Sequence, residues 1–183
     1  MKIIGLKNPE HANLVVCAMS LFENKASDLI DLGELKTELT TTSNALLQHI
    51  KEARFLVISI SNINHLNTIK EWCEKTAHKD VFNHTAIFLL STSNTNTANS
   101  KLVSHAKQQF KTYGAEVLDT FHLPNFKSNF DSKKGITDIK LSLEFIRKIN
   151  SIKQNNFNNY FKKRAPTCGI DTTGFENCDA SNY

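Results

Sequence analysis

The 183-residue chain is poor in the residues that mark special architectures: it holds three prolines, six glycines, four cysteines and one tryptophan. Collagenous and low-complexity classes are excluded by so little glycine and proline. Four cysteines do not make a disulfide framework. Two of them, Cys17 and Cys73, fall in apolar-periodic segments, where a reduced, buried thiol is commonplace. Cys168 and Cys178 lie near the end of the chain. They would close a small loop as a disulfide under oxidising conditions or remain two thiols otherwise. Long apolar runs are also missing. Leu14 to Met19 and Ala86 to Leu90 fall far short of the roughly 20 residues that cross a bilayer, so no transmembrane helix is expected. The first residues, Met1 to Glu10, lack the apolar stretch of a secretory signal, and a cytoplasmic location is expected. No Gly-x-Ser-x-Gly elbow, Walker loop or Rossmann glycine fingerprint is present, and the seven histidines are scattered without the spacing of a metal site.

What is present is an ordinary globular composition, 40% hydrophobic and 22% charged, with a net charge of +4. The excess is local. Arg147, Lys148, Lys153, Lys162, Lys163 and Arg164 fall in a stretch without acids, so the remainder is slightly acidic. A nucleic-acid surface needs basic residues clustered on the fold itself, and none is expected here. The basic stretch either solvates the last helix and complements its dipole, or, with Phe157, Tyr160 and Phe161 interleaved, forms an arm packing on a second subunit.

Hydrophobic periodicity alternates between strand and helix. Strands are expected at Lys2–Leu6, Asp28–Leu32, Phe55–Ile60, Thr85–Leu90 and Ala115–Phe121. Between them lie a helix carrying Leu14, Cys17, Ala18, Leu21 and Phe22, a helix capped by Ser43, a third from about Leu66 to His78, and a fourth from Ala98 ended by Gly114. Leu141, Phe145, Ile149 and Ile152 line one face of a last helix. Such alternation implies one parallel sheet with right-handed crossovers. The expected fold is a doubly wound α/β sheet of five strands, order 2-1-3-4-5, with helices on both faces and a ligand crevice beyond the strand C-termini at the β1/β3 switch point. The domain is expected over residues 1–153, with 154–183 as a C-terminal arm.

Several segments resemble the NAD(P)H-dependent FMN reductases: Met1-Lys2-Ile3-Ile4-Gly5, Ser27 to Leu32, Ile50 to Ile58, Leu66 to Trp72, Gly114-Ala115-Glu116-Val117, Leu123-Pro124-Asn125-Phe126, Asn129-Phe130-Asp131 and Gly135-Ile136-Thr137-Asp138. The resemblance runs through roughly residues 1–150 and implies a flavodoxin-like fold, FMN as cofactor, NAD(P)H as hydride donor and a flavin or quinone as acceptor. It also implies a homodimer or homotetramer, or a hetero-partner of the same family.

Three loops would carry the flavin, and each departs from the family pattern. The phosphate loop, in place of Gly-Ser-x-Arg, reads Lys7-Asn8-Pro9-Glu10-His11-Ala12-Asn13, leaving Lys7, His11 and Asn13 as its candidates. Beside the ring, Ser61-Asn62-Ile63-Asn64-His65 replaces a Pro-Glu-Tyr-Asn loop, and Ser91-Thr92-Ser93-Asn94 opens the third loop without its glycines. The cofactor-binding candidates are therefore Lys7, His11, Asn13, Ser61, Asn62, Ile63, Asn64, Ser91, Thr92, Ser93 and Asn94; no catalytic side chain and no metal ligand is assigned. Two functions follow. One is an FMN-dependent NAD(P)H oxidoreductase. The other is a flavodoxin-like protein that has lost FMN binding and serves as a non-catalytic binding or assembly module. A solvent-exposed loop is the simpler reading for His11, a polar loop residue for His65, and a core or oligomer-interface residue for Trp72.

Overall fold

The computed structural model describes residues 3–7, 11–22, 29–32, 41–53, 55–75, 81–95 and 100–156. Five parallel strands, β1 (Ile3–Lys7), β2 (Leu29–Asp31), β3 (Phe55–Ile60), β4 (Ala86–Thr92) and β5 (Glu116–Leu123), form one sheet in the order β2-β1-β3-β4-β5. This is the flavodoxin-like order. β3 and β4 are buried at every position, which is why they read as continuous apolar runs rather than alternating ones.

Alternate residues of these strands serve two cores. Leu56, Ile58, Ile60, Ile87 and Leu89 point to the side of α2 (Thr41–Glu52), α3 (Ile63–Lys75) and α4 (Ser100–Thr112), where they meet Ile50, Leu66, Ile69, Trp72, Ala106 and Phe110. Phe55, Val57, Phe88, Leu90 and Phe121 face α1 (Ala12–Leu21) and the last helix, α6 (Ile139–Ser151). Phe145 of α6 packs on Phe121 and Phe88, with centroids 4.7 and 6.2 Å away. α6 runs on into a π-helical turn, Ile152–Asn156, whose Ile152 is also buried.

Two glycines are required where they stand. A Cβ on Gly5 would sit 2.5 Å from Met19 Sδ, 2.6 Å from Val15 Cγ1 and 2.7 Å from Leu29 Cδ2, so its absence is what lets α1 lie close on β1. Gly114, at φ +85°, turns the chain out of α4 in the left-handed conformation that favours glycine.

The boundaries differ from the expected ones in ways that have physical causes. Ser43 lies within α2 rather than before it. α3 begins at Ile63, three residues earlier than periodicity suggests, because Asn62 caps it: its Oδ1 accepts the amide protons of Asn64 (2.9 Å) and His65 (3.3 Å). Between β5 and α6 the chain adds a turn of helix, α5 (Phe126–Asn129), and a hairpin, β6 (Phe130–Asp131) and β7 (Gly135–Ile136), that strand-helix alternation does not reveal. The expected arm beyond residue 156 lies outside the described residues, as do Asn8, Pro9 and Glu10 of the first loop.

Candidate functional site

All five strands are parallel and leave the sheet at its carboxyl edge, so the residues after β1, β3, β4 and β5 come together there, and the strand order reverses between β1 and β3. Lys7, half-buried, ends β1, and its carbonyl accepts the Leu32 amide at 2.8 Å. Asn13 is exposed in the first turn of α1. His11 occupies the N-cap of α1 but makes no capping hydrogen bond. Its ring turns inward, 4% exposed, edge-on to Phe126 at 4.4 Å. Thr92 Oγ1 lies 3.1 Å from Nε2 and 3.3 Å from Nδ1 of this ring; facing the edge between the two nitrogens, it bonds one at a time. His11 is thus a buried histidine and not the exposed loop residue that was the simpler expectation.

Close to the α1 N-terminus the sheet carries a second unusual group. Ser59 is the one polar residue of β3, fully buried, and its Oγ has no hydrogen-bond partner among the described residues. It shares the α1 side of the strand with Phe55 and Val57, and it stands one residue past the Leu6–Ile58 pair that joins β1 to β3. A buried hydroxyl left unpaired costs about 1–3 kcal/mol, so its presence calls for an explanation.

The turn after β3 closes on itself. Besides the Asn62 cap, the Ser61 amide donates to His65 Nδ1 at 3.2 Å and Asn62 Nδ2 donates to Ser61 Oγ at 3.3 Å, a reciprocal arrangement that resembles a capping box. Asn62, Ile63 and Asn64 are exposed on the rim. Half-buried His65 therefore belongs to the first turn of a helix, and its ring serves the backbone. Trp72 lies on α3, 2% exposed and facing Phe82 at 6.4 Å; it is a core residue.

At the end of β4 the polar side chains form a half-buried relay. Ser93 Oγ donates to the Thr95 carbonyl at 2.7 Å, so toward His122 it can only accept, from Nε2–H at 3.3 Å. Nδ1 of His122 is then left as acceptor for the Ser91 hydroxyl, 2.9 Å away. The network fixes the imidazole as its Nε2–H tautomer. Burial holds the pKa of His122 below its ordinary value, which keeps the ring neutral. Backbone bonds from Ser93 N to Leu123 O (3.2 Å), Phe126 N to Ser93 O (2.9 Å) and Asn125 N to Thr95 O (3.2 Å) tie the same segment to the turn after β5. Asn125 adopts φ 44° to make that turn. Asn94 is exposed on the outside of the clamp.

The expected residues are therefore gathered at one edge, but in two states of satisfaction. Ser91, Thr92 and Ser93 have partners within the fold, as do Ser61 and Asn62. Lys7, Asn13, Ile63, Asn64 and Asn94 line the rim. Sequence reasoning missed Ser59, His122 and Phe126. Ser59 carried a signal, a lone hydroxyl inside an apolar strand; His122 carried none, since its partner Ser91 is 31 residues away.

Burial pushes the Cys73 thiol up to about 12, with the Glu74 charge adding to it, and also raises that of Cys17. No group of three metal-ligating side chains occurs among the described residues, and no helix among them is long and apolar enough to cross a membrane. A groove of about 520 Å³, lined by Lys107, Lys111 and Gly114 to Val117, lies at the amino end of β5, opposite the candidate site.

No family model matches the chain, and no curated protein matches it in sequence. Solved structures do match in shape. An NADH:FMN oxidoreductase in its apo form superposes with a TM-score of 0.65 at 13% identity, over 82% of this chain and 87% of that one. The flavoenzyme NAD(P)H:(acceptor) oxidoreductase FerB of Paracoccus denitrificans gives 0.60 at 12% identity, over 89% and 98%. The Trp repressor binding protein of Bacillus subtilis gives 0.58 at 12%, over 84% and 99%. At such identities the likeness establishes the fold: this chain is flavodoxin-like.

Proposed function

We propose that the protein binds FMN at the carboxyl edge of its sheet, at the β1/β3 switch point, and passes electrons from NAD(P)H to an acceptor. The observation that carries this reading is the buried, unpartnered Ser59 hydroxyl close to the N-terminus of α1, whose N-cap side chain turns away and does not bond the first helical amides. Helix N-termini offer amide donors and a favourable dipole to an anion, and here a sheet hydroxyl without a partner stands nearby. The neighbouring structures, two of them oxidoreductases acting with FMN or NAD(P)H, support the same reading.

These residues fit a flavin phosphate. Amides at the start of α1, the exposed Asn13 side chain and Lys7 would hold it, and the backbone of 61–64 and 93–95 would border the ring. When bound, the flavin supplies the redox chemistry. The chain's own work is to bind, to orient and to exclude water. The β4–β5 clamp holds the 93–95 backbone in one shape before any ligand arrives, which lowers the ordering cost of binding. No side chain needs to act as acid or base.

A second reading has its own observation. The hydroxyls of Ser91, Thr92 and Ser93 all have partners within the protein, as expected of a flavodoxin-like module that no longer binds FMN. Titration of the full chain with FMN, followed by quenching of flavin fluorescence, separates the two. Saturable binding at micromolar or tighter Kd, weakened by Asn13→Ala, is the expected result. No binding at about 100 μM FMN, weaker than roughly −5.5 kcal/mol, overturns it in favour of the module.

A further inference from the structure

Four large apolar side chains are exposed among the described residues, and three of them, Ile139, Leu143 and Ile146, stand on α6 at 76, 63 and 39% exposure. Their spacing, i, i+4 and i+7, lines them up along the side of the helix that faces away from buried Phe145 and Ile149. Apolar residues scattered singly over a surface need no explanation, but a helical row of three marks a surface that something covers. Beside it, at the same spacing, runs a row of exposed charged residues, Lys140, Glu144 and Arg147, and Asp138 is exposed where the helix begins. Half-buried Lys148 is already paired with Asp119 of its own chain at 3.0 Å.

The order of the exposed charges points to the occupant. From Asp138 through Lys140 and Glu144 to Arg147 the signs run minus, plus, minus, plus. Read backwards, every sign is inverted. The charges of the helix and its N-cap around the row cancel, so they favour neither an acidic nor a basic partner, but they complement a second copy of themselves lying in the opposite direction. We infer that the outer face of α6 is a contact between two copies of this chain, packed antiparallel about a two-fold axis near Leu143. Such an interface is isologous, each contact occurring twice. When Ile139 is set against Ile146 of the partner subunit, Leu143 meets its own counterpart on the axis, Lys140 faces the partner's Glu144 and Arg147 faces the partner's Asp138. These pairings hold to within one residue, about 1.5 Å along the helix. The positive start of each helix also comes to lie beside the negative end of the other. α6 is about 20 Å long, and one helical face of that length buries less than the roughly 800 Å² per partner of a standard interface. The dimer is therefore weak, with a Kd on the order of 10–100 μM. The inference does not depend on FMN.

The test is sedimentation velocity of the full-length chain under reducing conditions, from about 5 to 500 μM. A shift from monomer to dimer across that range is expected. Leu143→Asp, at an exposed position on the axis, should raise the dimer Kd roughly tenfold or more and leave the denaturation midpoint unchanged. Lys140→Glu and Glu144→Lys each set like charges against one another twice, and each alone should raise Kd about fivefold. Together in one chain they restore opposite signs and should return Kd to the wild-type value. A monomer throughout the range overturns the proposal and leaves the row to another segment of this chain or to a different protein. A dimer that Leu143→Asp does not weaken also overturns it, because the contact then lies elsewhere. A double reversal no tighter than the single ones overturns the antiparallel pairing.

Discussion

The two ends of the candidate crevice are built on opposite principles. At the β4–β5 end, Ser91, His122 and Ser93 satisfy one another, and three backbone bonds lock the loop around them. At the β1–β3 end, Ser59 is buried with no partner among the described residues, and the N-cap side chain of α1 does not bond its amides. A satisfied polar cluster holds a shape, whereas an unsatisfied one carries a free-energy cost that a ligand can relieve. In the proposed function the first end is the scaffold and the second the end that binds.

Substitutions can break that contrast. The largest effect is expected beneath α1, where Gly5→Val would drive a branched side chain into Met19, Val15 and Leu29; overpacking of this kind costs about 3 kcal/mol, read as a lowered denaturation midpoint at unchanged slope. At the scaffolding end, Ser91→Ala strands His122 Nδ1 and should cost about 1–2 kcal/mol in the same measurement, with little change in FMN Kd. Ser59→Ala should do the reverse. Removing an unpaired buried hydroxyl stabilises the free protein by about 1 kcal/mol, while FMN affinity falls roughly tenfold, about 1.4 kcal/mol. If Ser59→Ala leaves the affinity unchanged, the hydroxyl is a packing defect rather than a ligand group.

Smaller effects are expected from pH. Because the His122 pKa is lowered in the folded state, its contribution to stability is complete above the unfolded value near 6.5 and is lost as pH falls below it. Imidazole nitrogen shifts should show the Nε2–H tautomer at neutral pH, and a Nδ1–H signal would refute the relay. Smallest is Asp131, a fully exposed carboxylate held below its ordinary pKa by the amides of Lys134 and Lys133. Its contribution is present above about pH 3.8 and disappears in stronger acid, and a carboxyl titration by NMR reads the lowered value directly.

Much of the fold was legible because its signals are local. The run Phe55 to Ile60 reads as a doubly buried strand at its true limits, and Gly114 ends α4 as glycine does at a helix C-terminus. The strand order follows once five such units alternate. The start of α3 was obscured because Asn62, in a segment resembling a flavin-ring loop, is spent on a cap. The site was less legible because its groups pair across the sheet: Ser91 with His122 and Thr92 with His11 are 31 and 81 residues apart. Nothing near His11 distinguishes a histidine facing a phosphate from one lying against Phe126. The hairpin Phe130–Ile136 is too short for periodicity to register.

β5 ends the sheet, so one rim of its backbone is open to any strand that approaches. Two details of the strand discourage it. The pairing with β4 slips at Ile87/Phe88, where Leu118 is an extra residue and the strand bends. The following residue, Asp119, is held by Lys148 at 3.0 Å, both side chains half-buried. An incoming strand would meet a kinked template and would have to strip water from an ion pair before its first rung formed, a common defence of edge strands against self-association into aggregates.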